Sequence, residues 1–163
     1  MTELLTTLWG NIVEPLFQRP KKLQVAALCH RGHGDDVEIL LITSRDTGRW
    51  IIPKGWPIRG TELSQTALQE AWEEAGVHNS VALSDPIGIY GYDKRLNPEF
   101  AVPVETHVFA IQVSDLADDY PEVDQRKRMW IAPSKAAELV DEDELKQLLR
   151  DFSVNTVRVN AHG

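Results

Sequence analysis

The chain has a single cysteine, Cys29, among 163 residues. One thiol excludes an internal disulfide framework. It sits in the apolar-leaning run "LQVAALCH" and reads as a core thiol. Basic charge is also scarce: 17 lysines and arginines face 25 acids, for a net charge of -8. That balance argues against a nucleic-acid polymer or an anionic membrane as partner. A small phosphorylated ligand is not excluded, provided cations are placed locally or a metal is recruited. No apolar run approaches the ~18 residues that a membrane span needs. The first 17 residues, "MTELLTTLWGNIVEPLF", lack a basic start and carry Glu3 and Glu14, so they make a poor signal peptide. A cytoplasmic location is the expectation. Zinc-type Cys/His spacing, G-x-S-x-G and G-x-G-x-x-G are all missing.

The chain contains 42% hydrophobic and 26% charged residues, the make-up of a globular domain. Leu4, Leu5, Leu8, Trp9, Ile12 and Val13 recur at helical spacing, so residues 2–14 read as an amphipathic helix, a possible homodimer contact. With its linker it forms a unit over 1–21. The main domain spans 22–152, and 153–163 reads as a frayed tail.

Within the domain, "KLQVAALCH" and "VEILLIT" read as a hairpin across the turn-rich "RGHGDD". "GRWIIP" is a short strand, and "KGWPIRGT" is a loop. Thr61 is the expected N-cap of a helix that runs to Ala75, with Gly76 closing it. "PIGIYGYDK", "VETHVFAIQV" and "RMWIA" read as strands, and "PSKAAELV" and "EDELKQLLRDF" as helices. Strands, a helix, strands and then helices fit an α/β (α+β) class, with helices covering a mixed sheet.

The central helix carries a puzzle. Leu63, Ala67, Ala71 and Ala75 form its apolar arc, widened by Leu68 and Trp72. Glu70, Glu73 and Glu74 share one sector beside that arc. Like charges at i, i+3 and i+4 repel by a few tenths of a kcal/mol per pair. Two of the three also fall in the last turn, where the helix dipole favours cations. A divalent cation resolves the conflict, because carboxylate, carbonyl and water oxygens suit Mg²⁺ or Mn²⁺.

"GWPIRGTELSQTALQEAWEEAGV", Gly55 to Val77, resembles the Nudix box, G-x5-E-x7-R-E-U-x-E-E-x-G-U with U aliphatic. Gly55, Glu70, Glu73, Glu74, Gly76 and Val77 match it. Thr61 and Gln69 stand where the box has the glutamate and arginine of a bracing salt bridge. A Thr61–Gln69 hydrogen bond is the expected substitute, with Glu62 nearby as a further candidate. The resemblance extends over roughly residues 22–150, through "SRDTGRWIIPKGWP" and "QRKRMWIAPSKAAELV", to the diphosphoinositol polyphosphate phosphohydrolase branch.

The resemblance implies an α/β/α sandwich and Mg²⁺-dependent cleavage of a diphosphate bond. The expected substrates are an inositol pyrophosphate or a dinucleoside polyphosphate. A MutT-type nucleoside triphosphate pyrophosphatase and a non-catalytic nucleotide sensor are the alternatives. It further implies metal ligation by Glu70, Glu73, Glu74 and the Lys54 backbone carbonyl, with Glu70 and Glu73 catalytic. Glu105, Glu122 and Asp124 are candidates for an acid from a later loop. Phosphate contacts are expected from Arg45, Lys54, Lys94, Arg95, Arg126 and Arg128, the last two sharing a strand face. Trp50, Trp72 and Trp130 are expected in the core, Trp56 as a wedge under its loop, and His107 as a packed strand residue.

Overall fold

The computed structural model describes residues 21–160, with side chains through 152. The helix expected over 2–14 lies outside the described residues. At the centre is β1 (Lys22–Arg31), in which Gln24 to Cys29 are all buried. Burial on both faces suits a parallel strand. β1 runs parallel to β8 (Phe100–Gln112), from Lys22 opposite Val104 to His30 opposite Gln112. Its other side meets β2 (Glu38–Thr43) in the expected antiparallel hairpin. β10 (Arg128–Ile131) flanks β2, and β6 (Val81–Ala82) flanks β8. Three more strands branch from this path: β3 (Trp50–Ile51) on β2, β4 (Lys54–Gly55) on β1, and β7 (Gly88–Asn97) on β8. A separate two-stranded ribbon joins β5 (Val77–His78) to β9 (Asp115–Leu116).

Helix α1 (Leu63–Ala75) covers one face of the sheet. Ala67, Ala71 and Ala75 are fully buried against Val25, Ala27, Cys29 and Phe109. Small side chains along that stripe let the helix lie close to the sheet. Its end is as expected, with Gly76 left-handed at φ 73°. Its start is not. Glu62 holds the N-cap position, one residue beyond Thr61, and makes no side-chain cap bond.

α2 (Pro133–Leu139) and α3 (Asp143–Asn160) cover the opposite face, over Ala26, Leu28, Leu41, Tyr90 and Val108. A Cβ at Gly88 would stand 2.2 Å from Leu148 Cδ1, so this glycine sets how closely α3 approaches β7. The sheet between two helical layers is the expected α/β/α sandwich. α3 continues through Asn160, so residues 153–160 extend a helix and are not a frayed tail. Trp50 and Trp130 are half-buried at the edges of the core, and half-buried Trp72 lies against the His78 ring, so none of the three is inside it. Cys29 is fully buried, and burial pushes its thiol up to about 12. Among the described residues no helix is long and apolar enough to cross a membrane.

Candidate functional site

Pairing of β4 with β1 holds Lys54 and Gly55 directly opposite the acidic sector of α1. A Cβ on Gly55 would lie 2.3 Å from Glu70 Cδ, so the Glu70 carboxylate occupies the space that a side chain would take. One turn on, Glu74 is buried at 7% exposure. Its Oε2 accepts the backbone N–H of Lys54 at 3.1 Å. Its Oε1 accepts Arg126 Nη2 at 3.0 Å, from a side chain only 6% exposed. A second Arg126 nitrogen, Nη1, donates to the Thr43 carbonyl at 3.1 Å. The Glu73 carboxylate accepts Gln69 Nε2 at 2.8 Å.

The acidic loop before β10 returns to the same place. The Glu122 amide donates to the Glu73 carbonyl at 3.0 Å. The Glu122 carboxylate pairs with Arg45 at 2.9 Å and lies 3.6 Å from Arg126 Nε. Four carboxylates, Glu70, Glu73, Glu74 and Glu122, therefore line one cavity of about 850 Å³.

Their crowding shows in their proton affinities. Glu70 is pushed up to about 7 by burial and by the charges of Glu74, Glu73 and Glu122. Glu74 is also raised to about 7, because burial outweighs the Arg126 guanidinium and the Lys54 amide. Opposite them, burial lowers the Lys54 ammonium to about 8. Among the described residues no three acidic, histidine or cysteine groups converge as they stand on one metal position. Glu73 rests on Gln69, and Glu74 is engaged at both oxygens. The donor set nonetheless fits a hard divalent cation: all-oxygen, partly dehydrated and charged at a cost that a cation removes.

The structure brings Arg45, Lys54, Lys94, Arg95 and Arg126 to the cavity wall with the three box glutamates. Arg128 is not there. Its Nη1 donates to the Ala75 carbonyl at 2.8 Å, and its guanidinium stacks on Tyr120. It therefore satisfies the end of α1 and does not line this cavity. Nor do Arg126 and Arg128 share a strand face, since β10 begins only at Arg128.

Of the later acids, Glu122 reaches the cavity, while Glu105 pairs with His107 at 3.0 Å on β8 and Asp124 is exposed outside it. Trp56 does not wedge its loop. It is 42% exposed, lines the cavity and carries the Lys94 ammonium 4.8 Å from its ring centroid. The expected Thr61–Gln69 brace is replaced. Gln69 bonds Glu73, and the buried Thr66 hydroxyl accepts the Ile58 amide at 3.3 Å.

Sequence reasoning missed Arg49, Gln24 and Tyr92 in the cavity wall. The Tyr92 hydroxyl donates to Gln24 Oε1, and the Lys54 ammonium lies 5.3 Å from the Tyr92 ring centroid. Arg49 is held at 2.8 Å by Glu142, which is 93 residues away. No local pattern links those two positions.

Comparison with known proteins agrees with this geometry. The chain is 31% identical over 121 residues to Nudix hydrolase 21, chloroplastic, of Arabidopsis thaliana, covering 73% of this chain and 58% of that one. It is 29% identical to the human diphosphoinositol polyphosphate phosphohydrolase 3-alpha, covering 73% and 69%. The match thus spans less than two thirds of the first relative. Among solved structures, the Ap4A hydrolase of C. elegans superposes with a TM-score of 0.62 at 21% identity, covering 83% of this chain and 98% of that one. The E. coli dihydroneopterin triphosphate pyrophosphohydrolase gives 0.62 at 15%, covering 84% and 99%. These two likenesses speak to the fold. The NUDIX domain model matches residues 20–152, most of the chain and all of the cavity, and on that ground the protein belongs to the Nudix family.

Proposed function

We propose that this chain is a Mg²⁺-dependent hydrolase of a pyrophosphate bond in a phosphorylated small molecule, an inositol pyrophosphate or a dinucleoside polyphosphate. One observation carries the reading: the carboxylates of α1 and a set of cationic side chains line one and the same cavity. Glu70, Glu73, Glu74 and the Lys54 carbonyl would hold Mg²⁺ or Mn²⁺. Bound there, the ion supplies charge neutralisation at phosphate oxygens and positions water for attack.

The rest falls to the protein. Arg126 and the Lys54 amide fix the Glu74 carboxylate. Arg45, Lys54, Lys94 and Arg95 bind and orient phosphate oxygens. Glu70 or Glu73 accepts the proton of the attacking water, and Glu122 stands beside them as a third acceptor.

The test is turnover of diadenosine polyphosphates, inositol pyrophosphates, (d)NTPs, nucleotide sugars and ADP-ribose with Mg²⁺, alongside Glu74→Gln. The expected result is release of a phosphate-containing product from one class, reduced at least a hundredfold in the variant. Tight binding of one compound with no turnover of any would overturn the hydrolase reading. Full activity in Glu74→Gln would overturn the metal assignment.

A further inference from the structure

We propose that Arg49 is a ligand for a substrate phosphate, and that Glu142 is the positioning residue that aims it. The inference rests on the hydrolase reading only in supposing a phosphorylated ligand. The fates of the cavity arginines single out Arg49. Arg126 is turned inward, onto Glu74 and the Thr43 carbonyl. Arg45 reaches across the cavity mouth to Glu122 and Gln125. Arg95 lies out on the β7–β8 hairpin, near the Pro98 carbonyl at 3.4 Å. Arg49 is held from behind: among the described residues Nη1 alone is engaged by side chains, at 2.8 Å to Glu142 and 3.6 Å to Asp141. Its Nε and Nη2 keep their donors for a ligand. A guanidinium pinned at one corner loses little further freedom when it grips an oxyanion.

Glu142 is the odd member of the pair. It directly precedes α3, where its carbonyl caps the helix by accepting the Lys146 amide at 2.9 Å. Its side chain is only 7% exposed. One oxygen takes Arg49, and the other is buried without a hydrogen-bond partner among the described residues. A purely structural ion pair would satisfy both oxygens, since a buried unsatisfied acceptor is costly. A fixed anion behind a ligand-binding cation has a use. It orients the fork and keeps the guanidinium from turning outward. The charge of Glu142 is also felt at Lys54 and Tyr92, two residues of the cavity wall. Through Arg49, Glu142 ties the cavity wall to the start of the C-terminal helix, which packs through Leu145 and Leu149 on the core.

The experiment measures binding of methylenediphosphonate, a diphosphate that cannot be hydrolysed, by calorimetry with saturating Mg²⁺. It uses the full chain, Arg49→Gln, Glu142→Gln, Glu142→Asp and the double variant Arg49→Gln/Glu142→Gln. Melting temperature is followed in parallel. Arg49→Gln is expected to weaken binding at least tenfold and Glu142→Gln three- to tenfold. The double variant should be no worse than Arg49→Gln, and Glu142→Asp should recover affinity to within about threefold. With any compound turned over in the panel above, the loss should fall in KM more than in kcat. Affinity unchanged in both single variants, additive losses, or lowered melting with intact affinity in Glu142→Gln would each overturn the proposal. Binding is read without turnover, so a chain that binds but does not hydrolyse refutes the hydrolase reading and leaves this one standing.

Discussion

Replacing Gly55 with alanine should separate folding from chemistry. The added Cβ would sit 2.3 Å from Glu70 Cδ and Oε1, and 2.7 Å from Oε2. Ordinary carbon contacts need about 3.5–4.0 Å, so the carboxylate must retreat by roughly 1 Å or more. What gives way is the end of a flexible, half-buried side chain and not the backbone. Moving it off its rotamer costs about 0.5–1.5 kcal/mol. Gly55 lies in β4 without a positive φ, so alanine adds no backbone strain there. Alanine also narrows the unfolded ensemble, a gain of about 0.4–1 kcal/mol. The two terms nearly cancel, and urea unfolding should place Gly55→Ala within about 1 kcal/mol of the wild type. Activity should respond quite differently. A misplacement of ~1 Å in a reacting group costs about a hundredfold. The expected outcome is a loss of that order in kcat/KM, with Gly55→Ala/Glu70→Gln no worse than Glu70→Gln alone. A stability loss above about 3 kcal/mol would show that the backbone yields instead. A kcat/KM within threefold of wild type would show that the position of Glu70 is immaterial.

Three further outcomes follow from the same contacts. Glu70 and Glu74 are raised from 4.5 to about 7 in the folded chain, so the native state holds their protons more tightly than the unfolded state. Without metal, stability should therefore be greatest near pH 4.5 and fall as pH rises through 7. The fall should be about 3 kcal/mol at 1.36 kcal/mol per unit, mostly from Glu74, because half-buried Glu70 is partly screened. Urea midpoints across pH 4.5–8 measure it; saturating Mg²⁺ should flatten the profile, and a rise over that window would contradict the account. Thr66→Val strips the acceptor from the Ile58 amide and should cost about 1–2 kcal/mol in urea, whereas Thr61→Val should stay within about 0.5 kcal/mol. Arg128→Met removes the donor to the Ala75 carbonyl and should lower stability by about 1–2 kcal/mol while leaving methylenediphosphonate affinity within twofold.

How much of this was legible depends on sequence separation. The three glutamates share one helix, so periodicity alone placed them on one sector. The alanine stripe was legible for the same reason. Arg126 shares no local pattern with Glu74, 52 residues earlier, and read as one cation in a basic cluster. Arg128 was misplaced by a one-strand argument that failed because β10 starts late. β7 and β8 extend to Asn97 and back to Phe100 because a strand can carry Pro103 where its missing N–H is not needed in the ladder. By pattern alone one strand ended at "PIGIYGYDK" and the next began at "VETHVFAIQV", short of both ends. The Thr61–Gln69 brace followed from alignment to a motif, but α1 starts one residue later than expected and the buried Thr66 reaches the loop first.

The charges of the cavity carry one more consequence. With Asp46 and Asp93 its wall holds six carboxylates, against six cationic side chains. Most of the arginine charge is already spent on glutamates. A polyanionic ligand entering this balanced wall gains little unless its negative charge is matched by something new. A divalent ion at the α1 glutamates would provide that match and remove the repulsion that raises Glu70 and Glu74. Ligand and ion should therefore bind cooperatively, each tightening the other by the same factor. A coupling of about 2 kcal/mol is roughly 30-fold, within the usual range for linked sites. Calorimetric titration of methylenediphosphonate with and without Mg²⁺, and of Mg²⁺ with and without methylenediphosphonate, measures both legs of the cycle. Equal affinities with and without the ion would mean that the cationic wall binds phosphate by itself, and that the glutamates of α1 serve some other end.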